Sequence, residues 1–409
     1  MFWYLCLGFR IGGSQGILLI AEIFKKERKQ GMRTRTMMLY ACLLLMAGIA
    51  AQAQAIRLPL HTQGYWIVDA KNKPILLKSI NWYGFDEKEY VPGGLDHVPL
   101  SEIVAQIQRM GFNSVRLPWA NETLERNPAV PAYAVAANPQ LKNKHAMEVM
   151  DAVIAALAKA HIMVILDNHV SRADWCCGDK DGNGLWANAE YPDDKWVADW
   201  KTIVQRYRHI PYVVGADLRN ELRSGATWGG ADSAKDWHAA AERGGNAALS
   251  VNPSLLIMVE GPSYSTNFRD VSTLPVHLKV ANRLVYSPHD YGMSQKTPGS
   301  YEELKAHLDH QWGYLLHTMP ATPLWVGEFG ICQKPEQCRE YGEWFSWFVR
   351  YLKETGASWG YWPLNGTQSS GGGRHYDAVE SYGLLSPDYR SIAAPDVLKQ
   401  LSDIGLKSR

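Results

Sequence analysis

"PLWVGEFG", residues 323–330, writes an apolar strand and then places a carboxylate between two glycines at its end. A buried glutamate costs stability unless a neighbouring group uses it, so the stretch marks a site at a strand terminus. Seven other apolar runs share this design: "ILLKSINWYG" (75–84), "NSVRLPW" (113–119), "IMVILDNH" (162–169), "YVVGADLRNE" (212–221), "LLIMVEG" (255–261), "LVYSPHDYG" (284–292) and "SWGYWPLNG" (358–366). Helical patterns lie between them. "LSEIVAQIQRMGF" carries Ile103, Val104, Ile107 and Met110 on one stripe and stops at Gly111. "HAMEVMDAVIAALAKA", "DKWVADWKTIVQRY" and "YGEWFSWFVRYLKE" read the same way. Eight strands of the buried, parallel type alternating with helices predict an α/β protein built as a single (β/α)8 TIM barrel. A doubly wound open sheet is the competitor; the strand count and the lack of a GxGxxG turn favour the barrel.

The 409 residues are 46% hydrophobic and 20% charged, enough for one large domain or two small ones. There is no Pro/Thr/Ser linker after residue 55, no internal repeat, and "SSGGGR" reads as a loop. Aromatics favour Trp and Tyr (16 and 20) over Phe (9). Trp and Tyr pair a flat apolar face with a polar handle, which suits a surface that stacks sugar rings, although core packing uses them too.

The N-terminus reads as targeting rather than fold. "MRTRTMMLYACLLLMAGIAAQAQA" (32–55) has two arginines, an apolar run and a small-x-small end, the layout of a secretory signal peptide. The run is shorter than the roughly 20 residues of a membrane span. Residues 1–31 precede it as an upstream extension or start-site artefact, with a membrane-seeking "GILLIAEIF" as the alternative. The mature chain, 56–409, is expected to be secreted or periplasmic, monomeric and not stably membrane-associated. Without residues 1–55, which hold seven Lys/Arg and two Asp/Glu, it has 35 basic and 39 acidic residues, net −4. No charge run argues for nucleic acid or anionic lipid, and neutral substrates remain open.

Nearly every predicted strand ends in polar or aromatic residues: Asn81 and Trp82, Arg116, Asp167 to His169, Asn220 and Glu221, Glu260, His289 to Tyr291, Glu328, Trp362. In a barrel these ends converge on the face that carries active sites. Any one could be a buried hydrogen-bonding group or a cap; eight together are hard to explain by stability alone. Two glutamates meeting there point to glycoside hydrolysis, where one acid protonates the leaving oxygen and the other attacks carbon or activates water. Glu221 and Glu328 are the best pair. Glu260 is a spare that better suits bracing the barrel. The second Asn-Glu, Asn121-Glu122, falls in a loop or helix start.

With "INWYGFD", "GFNSVRLPW", "ILDNH", "VVGADLRNE", "IMVEG", "LVYSPHDYG", "LWVGEFG" and "YWPLNG" in this order, the chain resembles glycoside hydrolase family 5 over residues 60–395, and within it the secreted bacterial-type endo-1,4-β-glucanases, or cellulases. The resemblance implies a retaining mechanism on a β-glucan polysaccharide, with Glu221 as acid/base, Glu328 as nucleophile and no metal or cofactor. It also implies Asn220 on the sugar 2-hydroxyl, Arg116 and Tyr291 holding the nucleophile, His169 and His289 lining the cleaving subsite, and Trp362 as its stacking floor. A β-mannanase, a mixed-linkage β-glucanase and a catalytically idle carbohydrate-binding barrel are the alternatives. Taken alone, Arg116 reads as a structural ion pair and Trp362 as core. Gly327 and Gly330 are expected to give the sugar room to approach Glu328, with the carboxyl groups about 5 Å apart.

Loop aromatics extend the expected cleft, and Trp82, Trp175, Trp186 and Trp228 are candidate sugar platforms, some of them alternatively core. The loop "ADWCCGDKDGNGLW" has acidic residues and glycines that hint at calcium but do not match an EF-hand, so it reads as a plain loop. Four cysteines remain after residue 55, an even number that in an exported chain suggests disulfides. Bonds between the loops of strands three and seven would cross the cleft. Cys332–Cys338 and a vicinal Cys176–Cys177 bridge are therefore preferred.

Overall fold

The computed structural model describes residues 56–292, 298–318, 320–333 and 342–406. The signal-peptide and upstream readings fall on residues 1–55, and Cys338 on 334–341, all outside the described residues. The chain opens with a small antiparallel sheet that the sequence pattern did not reveal, β1 (His61–Gln63), β2 (Trp66–Val68) and β3 (Pro74–Ile75). Thr62 N–H donates to the Asn282 carbonyl at 3.0 Å. That places this sheet near the start of the strand at Leu284, away from the strand termini that carry polar residues.

Eight parallel strands follow: β4 (Lys78–Asn81), β5 (Ser114–Ala120), β6 (Met163–Val170), β7 (Val213–Asp217), β8 (Leu256–Val259), β9 (Leu284–Tyr286), β10 (Trp325–Phe329) and β11 (Ser358–Tyr361). Their spatial order runs β10-β11-β4-β5-β6-β7-β8-β9. Parallel bridges from Tyr286 to Leu324 and from His289 to Glu328 join the two ends, so the ring closes. All eight expected strands are present. Every residue of β5 and of β6 is buried, the signature of a parallel sheet covered on both faces.

The four predicted helices form at Leu100–Arg109, Ala146–Lys159, Asp193–Tyr207 and Gly342–Thr355. The first buries Ile103, Val104 and Ile107 and ends ahead of Gly111, whose φ of +84° is the left-handed value a helix stop favours. Three further helices lie beyond the four predicted: Trp237–Val251, Tyr301–Gln311 and Pro395–Ser402. In the first, Asp236 caps Ala239 N–H, and a Cβ on Gly244 would fall 2.3 Å from the Trp196 ring. Gly244, a poor helix former by itself, lets it lie against Trp196 of Asp193–Tyr207, while Gly245 packs toward Leu278 and Ile257. Asn121-Glu122 opens a short helix, Asn121–Arg126. Among the described residues no helix is long and apolar enough to cross a membrane. Residues Arg57–Arg409 make one compact unit.

Candidate active site

Register assembles the site. Asn81 pairs with Arg116 across β4 and β5, and Asp167 with Asp217 across β6 and β7. Inside the barrel Arg116 sits fully buried among them. Its Nε donates to Asp217 Oδ2 at 2.8 Å, and its Nη1 to Glu328 Oε1 at 2.5 Å and Asn81 Oδ1 at 3.2 Å. Its Nη2 reaches Asn220 Oδ1 at 2.9 Å, Glu260 Oε1 at 3.0 Å and Asp167 Oδ1 at 3.0 Å. Burial opposes this charge, but Asp167, Asp217, Glu328 and Glu260 overcome it and hold the guanidinium firmly protonated.

Glu328 lies on β10 and takes its second hydrogen bond from the Tyr291 hydroxyl, 2.9 Å from Oε2. Glu221 does not end its strand directly. β7 stops at Asp217, and the chain turns so that Glu221 has a φ of +44°. Three contacts fix that turn: Glu221 N–H to Glu260 Oε2 at 2.7 Å, Arg223 Nη1 to the Glu221 carbonyl at 2.8 Å, and Asn220 N–H to the Asn168 carbonyl at 3.1 Å. Glu260 therefore braces the site, as the sequence favoured, through Arg116 and the Glu221 backbone.

His289 stands between the two glutamates. Its Nδ1 lies 3.3 Å from Glu221 Oε1 and 3.8 Å from Glu328 Oε2, and all three residues offer an atom within 4.8 Å of the others. Burial pushes the His289 imidazole down to about 3 despite Glu328, so the ring is neutral at ordinary pH. Burial also raises Glu221 above the ordinary glutamate range, against the opposing pull of His169, Arg223 and Arg116. One carboxyl whose proton affinity burial raises thus faces another that accepts hydrogen bonds from two donors. Their spacing fits the roughly 5–5.5 Å of a covalent, retaining displacement rather than the roughly 6.5–9.5 Å that leaves room for water.

Trp362 forms one wall. Its ring stacks on His169 at 5.4 Å and on Tyr83 at 5.2 Å. His169 Nδ1 bonds Asp167 Oδ2 at 2.6 Å, and burial lowers its affinity for a second proton. Trp175, half-buried, tilts against Trp362 at 6.3 Å under the Arg374 guanidinium, which lies 3.5 Å from its ring centre. Tyr83, Asp217, Arg223 and Arg374 had no assigned role in the sequence; only the convergence of distant loops brings them here.

Two expectations are corrected, and Trp228 is found apart from the site. Trp82 and Trp186 are core residues, not sugar platforms: both are fully buried, with Nε1 on the Gly93 carbonyl at 2.9 Å and on Asp193 Oδ1 at 2.6 Å. Trp228 is half-buried, but its contacts run to Leu274, His238, Phe268 and Tyr286, outside the cluster around the glutamates. The glycines beside Glu328 serve the protein's own packing rather than sugar access. A Cβ on Gly327 would meet Ser287 Oγ at 2.6 Å and His289 Nε2 at 2.9 Å, and one on Gly330 the Trp362 carbonyl oxygen at 2.4 Å. The sulfurs of Cys176 and Cys177 lie within bonding distance of each other, at the edge of this site.

Residues 68–368 match the family model described as cellulase (glycosyl hydrolase family 5). An endoglucanase of Paenibacillus polymyxa is 34% identical over 346 residues, covering 80% of this chain and 84% of that protein. The major extracellular endoglucanase of Xanthomonas campestris pv. campestris is 32% identical over 333 residues, covering 75% of this chain and 65% of the relative. A cellotetraose complex of the endocellulase from Pyrococcus horikoshii superposes with a TM-score of 0.74 at 26% identity, covering 86% of this chain and 100% of that one. With a matched barrel, and two carboxylates converging where its strands end, the chain belongs to glycosyl hydrolase family 5.

Proposed function

We propose that the protein is an endo-1,4-β-glucanase that hydrolyses internal bonds of cellulose-type glucans by double displacement with retention. The approach of Glu221 and Glu328 to within 4.8 Å carries this reading. Glu328 attacks the anomeric carbon, its charge stabilised by Arg116 and Tyr291. Glu221, its proton affinity raised by burial, protonates the departing oxygen and then takes a proton from the water that frees the sugar. Asn220 holds the 2-hydroxyl, where hydrogen bonds strengthen in the transition state. His169 and His289 line the cleaving subsite, Trp362 is its floor, and Trp175 is a platform beside it. The relatives named endoglucanase and the cellotetraose-bound endocellulase support a β-1,4-glucan substrate. Export through a signal peptide at 32–55 and action as a monomer complete the proposal.

Side-by-side rates on carboxymethylcellulose, barley glucan and mannan test the substrate, with NMR following the product anomer. The reading requires the fastest cleavage on carboxymethylcellulose and a β-anomer formed first. Faster mannan cleavage, or an initial α-anomer, overturns it.

A further inference from the structure

Asn220 holds its amide at both ends. Its Oδ1 accepts from Arg116 Nη2 at 2.9 Å, and its Nδ2 faces the sulfurs of Cys177 and Cys176 at 3.5 and 3.7 Å. The Cys176 sulfur also lies 3.5 Å from His169 Nε2, the nitrogen left over once Nδ1 has bonded Asp167. Both cysteines are half-buried, so the sulfur pair forms part of the cleft surface. The loop that carries them is tied to the acid/base segment from the other side. Arg223, two residues past Glu221, donates from Nε to the Gly178 carbonyl at 3.1 Å and from Nη2 to Asp181 Oδ2 at 2.5 Å, while its Nη1 holds the Glu221 carbonyl at 2.8 Å. The Tyr264 hydroxyl bonds Asp179 in the same loop.

We infer that the Cys176–Cys177 pair is a positioning element for the reaction: as a disulfide it orients the Asn220 amide and the His169 ring toward the sugar. The inference rests on the functional reading above and adds residues that touch neither the leaving oxygen nor the attacking carboxylate. Bonded sulfurs sit about 2.05 Å apart, whereas heavy atoms without a bond rest about 3.5–4.0 Å apart. Asn220 and His169 both lie against the sulfur pair, so parting the sulfurs bears on both side chains. Reduction by a dithiol takes up two electrons and two protons, breaks the S–S bond and leaves two thiols, the dithiol closing to its own disulfide. The released thiols have S–H donors and freedom to rotate, and the Asn220 Nδ2 group loses its fixed neighbour.

The experiment compares the native protein with protein reduced by a dithiol under folding conditions, the state of Cys176 and Cys177 being read by peptide mapping. Two substrates are used: an aryl β-cellobioside, and a dinitrophenyl 2-deoxy-2-fluoro-β-cellobioside, which labels the nucleophile but has no 2-hydroxyl for Asn220. Reduction should lower kcat on the first about ten- to a hundredfold, with KM changed less than twofold and reoxidation restoring the rate. The labelling rate of Glu328 by the fluoro probe should fall less than threefold, because the contact of Asn220 with the 2-hydroxyl, the main one the sulfurs govern, is already missing. A reduced protein that keeps its full rate on the aryl cellobioside overturns the inference, and so does an equal loss with both substrates. A Cys176→Ala/Cys177→Ala double variant should be slow from the outset and indifferent to the dithiol; continued sensitivity would assign the effect to another cysteine and overturn it too. If the oxidised protein shows neither turnover nor labelling of Glu328, the functional reading fails and this inference with it.

Discussion

Arg116 Nη1 lies 2.5 Å from Glu328 Oε1, the shortest of the contacts by which one buried guanidinium ties together five strands of the barrel, that of Glu328 among them. Its charge is matched by four carboxylates, none with free access to water. Replacing Arg116 with Leu leaves those groups uncompensated, and removing one member of a buried ionic cluster typically costs about 3–5 kcal/mol. Urea unfolding should show a loss of that order. Arg116→Lys keeps the charge but not the fork of donors, so it should recover part of the stability and little of the activity. A Leu variant as stable as the native protein would contradict the arrangement.

Glu328→Ala removes the proposed nucleophile and should abolish turnover while leaving a cooperative thermal transition, since Glu328 belongs to the polar cluster around Arg116 rather than to the apolar core. Glu221→Gln should slow kcat about 10²–10⁴-fold on glucan. It should spare the first step on aryl glycosides whose leaving group needs no proton. Near-normal glucan hydrolysis by either variant contradicts the assigned roles.

Burial raises Glu221, and the acid role needs its protonated form. Activity should therefore hold at pH values where an ordinary glutamate has already ionised, then fall as pH rises through the Glu221 pKa. The basic limb of kcat/KM against pH reports that group. Glu221→Gln, assayed with an activated aryl leaving group, should lose this limb; its persistence at the same pH would assign it elsewhere.

The tryptophans should separate by burial. Trp82→Ala and Trp186→Ala remove fully buried rings and should destabilise by about 3–5 kcal/mol, with KM for cello-oligosaccharides unchanged in the folded fraction. Trp175→Ala should do the reverse, raising KM for long oligosaccharides more than for an aryl cellobioside at little cost in stability. Thermal melts and KM measured on the same preparations decide between these patterns.

Gly330→Ala tests the close approach of two strand ends. A Cβ there would lie 2.4 Å from the Trp362 carbonyl oxygen, a backbone atom that cannot swing aside. The strain, typically about 1–3 kcal/mol, should displace Trp362 and lower kcat/KM as well as the melting temperature. An unchanged variant would show that the two segments separate freely.

Strand identity was legible because most barrel strands are buried on both faces and so appear within continuous apolar runs. Its terminus was less so. β7 ends at Asp217, not at Glu221, because polar residues continue the chain past the sheet while bonding Arg116 and Asn168. The helix Trp237–Val251 escaped notice because Gly244 and Gly245 lower its local propensity, while the gain from packing against Trp196 is visible only in three dimensions. Trp82 and Trp186 looked like platforms because a sequence records that a ring exists, not which way it points.

The order of apolar runs and the chemistry at their ends pointed by themselves to the barrel and to an acidic pair, since periodicity and residue type are local properties; the family came from the resemblance of the motifs in that order. Tertiary structure alone decided which side chains share a site. Closing the ring sets Glu221 within reach of Glu328, more than a hundred residues away, and sets the Cys176–Cys177 loop against Asn220. The reason is physical: proximity between distant segments is fixed by strand register and by the packing of loops, and neither is encoded in any single stretch of chain.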